Sequence, residues 1–213
     1  VLKHLLRTAS FAKKFAEPKF KLIYRSHVIG LDNLWDLWIN DQGIAVISFR
    51  GTTQKSTSWL ANFYAAMLPA NGRLILNEKD TFSYSLAAHP RAAVHAGWLL
   101  CMAGLARDIR PKIDSLYQKG IRNFLIMGHS QGGGIAYLFT AYVYRLQQLQ
   151  QLATDIRFKT YCSAGPKPGN LYFAYAYEAA TQQGWAYNVV NAADWVPEVP
   201  LSVQTTRDFN KTS

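Results

Sequence analysis

The residues best suited to chemistry in this chain are Gly128-His129-Ser130-Gln131-Gly132-Gly133, a serine with glycine two positions before and two positions after it. The motif follows the apolar run Asn123 to Met127 and precedes a long segment rich in Ala, Leu, Phe and Tyr. A serine forced into a tight strand-to-helix turn, with glycines letting strand and helix approach, is lifted above the sheet edge as an exposed nucleophile. The Gln131 backbone N–H, at the start of the following helix, can then stabilise an oxyanion. The plainer alternative is a glycine-rich turn with an idle serine. A phosphate-binding loop is excluded, because no Gly-Lys-Ser/Thr follows.

A serine hydroxyl needs a base within hydrogen-bond reach and a carboxylate to hold that base's tautomer. In folds with such a turn the chain order is serine, acid, histidine, each beyond a strand end. Asp194 lies just past the run Ala186 to Asn191 and is the expected acid; an Asp before Trp-Val-Pro can equally serve to cap a turn. A second oxyanion donor is expected from the loop Ser48-Phe49-Arg50-Gly51-Thr52-Thr53, where Gly51 lets the backbone turn Thr52 toward Ser130. All five histidines precede Asp194. His129 abuts Ser130 but is expected to point to another side of the turn and to pack.

These residues need elements to hold them. Leu2, Leu5, Leu6, Ala9, Ala12 and Phe15 recur at helical spacing, predicting an amphipathic helix over 2–15. Strands are expected at 21–25, 34–40 and 43–49, the last two joined as a hairpin through Asn40-Asp41-Gln42-Gly43. Helices follow at 56–67, opened by a Ser or Thr cap, and at 96–119, with a kink at Pro111. The segment 68–94 is poorly periodic and reads as a loop or cap. From residue 123 onward the pattern alternates: strand 123–127, helix 132–150, strand 156–162, helix 171–183, strand 186–191. Strands and helices at this spacing imply βαβ crossovers and a largely parallel sheet covered on both faces.

At 213 residues and 49% hydrophobic, the chain can bury the core of a single domain. Its net charge of +10 comes from scattered residues rather than a basic stripe interleaved with aromatics, so a nucleic-acid groove is not expected. Attraction to an anionic lipid surface is the use the charge leaves open. Cys101 and Cys162, each in apolar surroundings, read as core thiols. No apolar run is long enough to span a bilayer as a helix. The chain opens on Val1 rather than Met, as a trimmed product would, which favours an extracytoplasmic location.

Together the blocks Ser48-Phe49-Arg50-Gly51-Thr52, Val94-His95-Ala96-Gly97-Trp98, Gly128 to Gly133, Ser163 to Asn170 and Val189 to Pro200 resemble the class 3 lipase family. The resemblance runs from about residue 34 to residue 200. It implies a three-layer α/β-hydrolase fold, a mostly parallel sheet with helices on both faces. It also implies a hydrolase of acylglycerols or other lipid esters that makes transient contact with a lipid interface and uses neither metal nor organic cofactor. Ser130 would be the nucleophile, Asp194 the triad acid, and Thr52 with Gln131 the oxyanion donors. His95 looks structural in the family, and 68–94 falls where such enzymes carry a lid; its Leu68, Leu74, Ile75 and Leu76 could face lipid or pack.

Two positions depart from the family pattern. Gln131 stands where Leu is usual, which keeps the backbone donor but is expected to make the pocket wall more polar. No histidine follows Asp194, so the catalytic base is expected beyond Ser213, with the fold truncated at its C-terminal side. An acyltransferase would use the same site with another alcohol in place of water, and a non-catalytic lipid-binding relative would keep the turn without the base.

Overall fold

The computed structural model describes residues 19–78 and 80–200. The helix expected over 2–15 lies outside the described residues. A six-stranded sheet has the order β1-β2-β3-β8-β9-β10, built from Phe20–Arg25, Trp35–Asn40, Ile44–Phe49, Asn123–His129, Arg157–Ser163 and Ala186–Val189. The β1-β2-β3 part is antiparallel, whereas β3, β8, β9 and β10 run parallel. The β2–β3 hairpin turns where expected: Asn40 Oδ1 accepts the Gln42 and Ile44 N–H groups, and Gly43 takes a φ of 73° that a side chain would resist.

Alternation along the strands sets two faces. Ala45, Ile47 and Phe49 on β3, Phe124 and Ile126 on β8, and Phe158 and Cys162 on β9 are fully buried. Helix α3 (Gln131–Gln148) lies on this face, with Phe139 packed edge-on against Phe49 and Thr140 bonded to Thr160 at 2.8 Å. Helix α2 (Ala96–Gln118) packs against α3, and α4 (Leu171–Ala180) closes the layer. Asp108 of α2 accepts from the Tyr24 hydroxyl and the Trp35 indole N–H, tying α2 to β1 and β2. α2 continues through Pro111. The opposite face carries Leu22, Trp38, Val46, Leu125, Met127, Tyr161 and Tyr187, as the strand registers require.

Two expectations need correction. Helix α1 is shorter than 56–67, spanning Ser56–Phe63, and its N-cap Lys55 makes no side-chain cap bond. The segment 68–94 is mostly strand: β4 (Met67–Pro69) pairs with β7 (Ala93–His95), and β5 (Asn71–Asn77) pairs with β6 (Asp80–Ser85) as a hairpin. Its alternation is carried by Leu74 and Leu76 on one strand and Phe82 and Tyr84 on the other, all against the core, while Ile75 is 80% exposed. Pairs of apolar residues two apart, split between short strands, are too few to show a period in sequence.

Candidate active site

Strand β8 ends directly in Ser130, which has a φ of 55° and a ψ of −127°, and α3 begins at the next residue. A left-handed φ at a non-glycine residue costs on the order of 1–3 kcal/mol and is held only where neighbours over-determine it. They do here. The Ser130 N–H donates to the Ser163 carbonyl at the end of β9, and the Ser130 carbonyl accepts the Gly133 and Gly134 N–H groups. Gly128 and Gly132 lie so close that a Cβ on Gly128 would sit 2.0 Å from the Gly132 carbonyl oxygen.

On one side of Ser130 lies the loop after β3. Phe49 pairs with Gly128, so the two strands end level. Gly51 abuts the turn, and a Cβ there would meet the His129 carbonyl oxygen at 2.8 Å and the Ser130 Cβ at 3.8 Å. Thr52 follows immediately. On the other side, β9 and β10 end together through the Ala164 N–H to the Val189 carbonyl. Beyond them Asp194, half-buried, accepts the Val196 N–H on Oδ1 at 3.0 Å, which starts the short 3₁₀ turn Val196–Glu198. Asp194 therefore caps a turn at the same end of the sheet as Ser130, two strands away; capping and a role at the site are compatible. Lys167 ties the Asp194 loop to the loop after β9 through its N–H to the Val199 carbonyl and its ion pair with Glu198.

Two residues not singled out from sequence hold the loop 50–55. Asp32, buried and with a φ of 60°, accepts from Thr53 Oγ1 at 2.6 Å and from Lys55 Nζ at 2.8 Å, and pairs with Arg50 at 3.2 Å. These bonds, Lys55 first, hold its carboxyl below the usual range. Asn62, one turn after Ser58 on α1, is a four-way junction. Its Nδ2 donates to Thr52 Oγ1 at 3.0 Å, its Oδ1 accepts from Trp98 Nε1 at 3.0 Å and from Gln131 Nε2 at 2.9 Å, and its carbonyl accepts from His95 Nε2 at 3.2 Å. The sequence signal that could have found it is a pair of polar residues, Ser58 and Asn62, spaced i, i+4 on an amphipathic helix.

Gln131 corrects an expectation. Its side chain is 2% exposed and points beneath the turn, donating to the Ser58 carbonyl at 2.9 Å and to Asn62, so it does not line a pocket wall. His129 is corrected too: it is exposed rather than packed, with Nδ1 3.0 Å from Ser163 Oγ. His89 stacks on Tyr172, and its Nδ1 accepts the Arg91 N–H.

His95 is structural, as expected. It is buried, caps α2 by accepting the Trp98 N–H on Nδ1, and stacks on the Trp98 ring with centroids 3.7 Å apart. Nδ1 being an acceptor, Nε2 carries the proton given to Asn62. Burial disfavours the imidazolium and lowers the pKa to about 4, from 6.5 when free. The unfolded chain binds this proton first as pH falls, so stability is full above about pH 6.5 and is lost progressively down to about pH 4, by on the order of 3 kcal/mol. Urea unfolding at stepped pH is expected to show this slope, and His95→Asn to lack it.

Exposed apolar side chains gather on α1 and just after it: Trp59, Leu60, Phe63 and Tyr64 are each between 45% and 75% exposed, and Trp59 stacks on Phe63. This patch follows the Thr52 loop directly in the chain. Among the described residues no group of three or more His, Cys, Asp or Glu is placed to hold a metal ion.

Comparison with known proteins agrees with this architecture. A search of curated proteins finds no match. Among solved structures, lipase II from Rhizopus niveus is 25% identical with a TM-score of 0.62, covering 90% of this chain and 64% of that one. A fungal lipase solved with an inhibitor, as a model for interfacial activation, is 20% identical with a TM-score of 0.64, covering 85% and 61%. A triacylglycerol lipase whose catalytic centre is a serine protease triad is 20% identical with a TM-score of 0.61, covering 85% and 61%. The chain thus spans about three-fifths of the length of these lipases. The α/β-hydrolase fold is shared with them, and the model of the class 3 lipases matches residues 46–204. The chain belongs to the class 3 lipase family.

Proposed function

We propose that the protein is a serine hydrolase of lipid or other carboxylic esters, working through an acyl-enzyme on Ser130. The observation that carries this reading is the strained Ser130 turn with the Gly51–Thr52 loop against it. Ser130 Oγ attacks the ester carbonyl and passes its proton to a base, which returns it to the leaving alcohol; water then releases the acyl group by the reverse steps. The backbone N–H groups of Thr52 and Gln131 hold the oxyanion. Thr52 Oγ1 accepts from Asn62, leaving its own proton free as a further donor. Asp194 orients the base.

The base is a histidine outside the described residues. His95 has both ring nitrogens engaged in the floor, the placements of His89 and His129 give neither of them Asp194 as a partner, and His27 follows β1, at the sheet edge opposite the β10 strand that leads to Asp194. A serine protease triad forms the centre of one of the similar lipases, which supports the Asp194 assignment by analogy only. The aromatic patch on α1 is the surface for transient contact with lipid, aided by the net positive charge.

A fluorophosphonate probe tests the reading. In the intact protein it is expected to add to Ser130, mapped by peptide mass spectrometry. An unmodified Ser130 in a correctly folded protein would mean a non-catalytic lipid-binding domain instead.

A further inference from the structure

Away from the Ser130 turn, α3 and α4 meet across small residues. Ala141, Tyr144, Arg145 and Gln148 of α3, spaced i, i+3, i+4 and i+7, and Ala176, Ala179 and Ala180 of α4 line one cleft. Alanine side chains are too short to fill the space between two helices. A cleft of about 580 Å³ remains, a volume common among small-molecule sites. Leu86 and Ala87, in the loop after β6, and Ala141 supply its buried apolar side.

A strong cation stands in this apolar setting. Arg145 is half-buried; its Nε donates to Ser85 Oγ at 3.1 Å and its Nη1 to Gln148 Oε1 at 2.9 Å. Both acceptors are neutral, and among the described residues no carboxylate pairs with this guanidinium. It is therefore oriented but not neutralised, and it keeps donors for a further acceptor. His89 also lines the cleft, stacked on Tyr172, with Arg91 over the same ring at 4.2 Å. No carboxylate lines it: Glu178, beside Ala179, is exposed and not part of the wall. A small inorganic anion would gain nothing from the alanines, and a neutral hydrocarbon nothing from Arg145. A carboxylate on a hydrocarbon chain uses both.

We propose that the cleft between α3 and α4 is a fatty-acid site, with the carboxylate on Arg145 and the chain along the alanines. Ala141 and Arg145 lie about 15 and about 21 Å along α3 from Gln131, at the usual helical rise, so the site is separate from the Ser130 turn. It binds the acid whether or not the protein hydrolyses esters.

Calorimetric titration of the 213-residue chain carrying Ser130→Ala with dodecanoate, kept below its micelle concentration, tests this without turnover. Saturable binding is expected, with dodecanol about tenfold weaker or more and no displacement by millimolar inorganic phosphate. Adding Arg145→Met removes a charge-assisted hydrogen bond and is expected to weaken dodecanoate by about tenfold or more. Ala179 is exposed, so Ala179→Glu spares the packing while setting a like charge at the cleft. It is expected to weaken binding several-fold at low salt and less at high salt. Should Arg145→Met fail to fold, Ala179→Glu decides alone. Absence of binding, unchanged affinity in either folded variant at low salt, or equal affinity for acid and alcohol would overturn the proposal. Displacement by phosphate would overturn it in favour of a bare anion site.

Discussion

Ser130→Ala is expected to lower kcat by about 10⁴-fold or more in any form of this protein that turns over esters, with substrate binding little changed. The size follows from the division of labour at the site. Without the hydroxyl no acyl-enzyme forms, and no neighbour can substitute for it: Ser163 Oγ is engaged with His129 and lies off the turn, and Thr52 Oγ1 is held by Asn62. What survives is the catalysis that donors aimed at a developing oxyanion give to attack by water. Removing Cβ–Oγ chemistry leaves the fold intact, because the anchoring bonds of Ser130 are made by its N–H and carbonyl. Steady-state kinetics paired with thermal unfolding checks both halves. A loss of only tenfold would place the nucleophile elsewhere.

Gly128→Ala is expected to destabilise the fold by about 3 kcal/mol or more, beyond ordinary overpacking, since what the new methyl meets is backbone. It would lie 2.0 Å from the Gly132 carbonyl oxygen, 2.3 Å from its carbon and 2.7 Å from the Gly133 nitrogen. None of these can rotate away as a side chain would. Relief requires pulling α3 from the end of β8, and α3 carries the core contacts Phe139 to Phe49 and Thr140 to Thr160. Urea titration of the chain measures the loss. A cost under about 1 kcal/mol would show that the turn is far softer than its contacts indicate.

The second half of the chain was legible because burial there leaves long periodic runs. The strands at 123–129 and 157–163 and the helices between and after them fall within a few residues of expectation. Ser130, Gln131 and Thr52 were legible as a motif after a strand and a loop before a helix, both local signals. The anchors were not. Asp32 reaches Thr53 and Lys55 across 21 and 23 positions, and Asn62 reaches Gln131 across 69; the i, i+4 spacing of Ser58 and Asn62 marks a polar helix face but does not announce the partner. The direction of a side chain is equally hidden: the sequence position of Gln131 says nothing of the polar junction beneath the turn. The hairpin at 71–85 went unseen because its apolar positions are few and its strands short.

The strain at Ser130 also bears on descent. A glycine at residue 130 would adopt a φ of 55° at no steric cost, so a lineage that had lost the chemistry could recover stability by a single substitution. The chain has not taken that exit. It keeps a β-carbon and a hydroxyl in a conformation that folding alone disfavours.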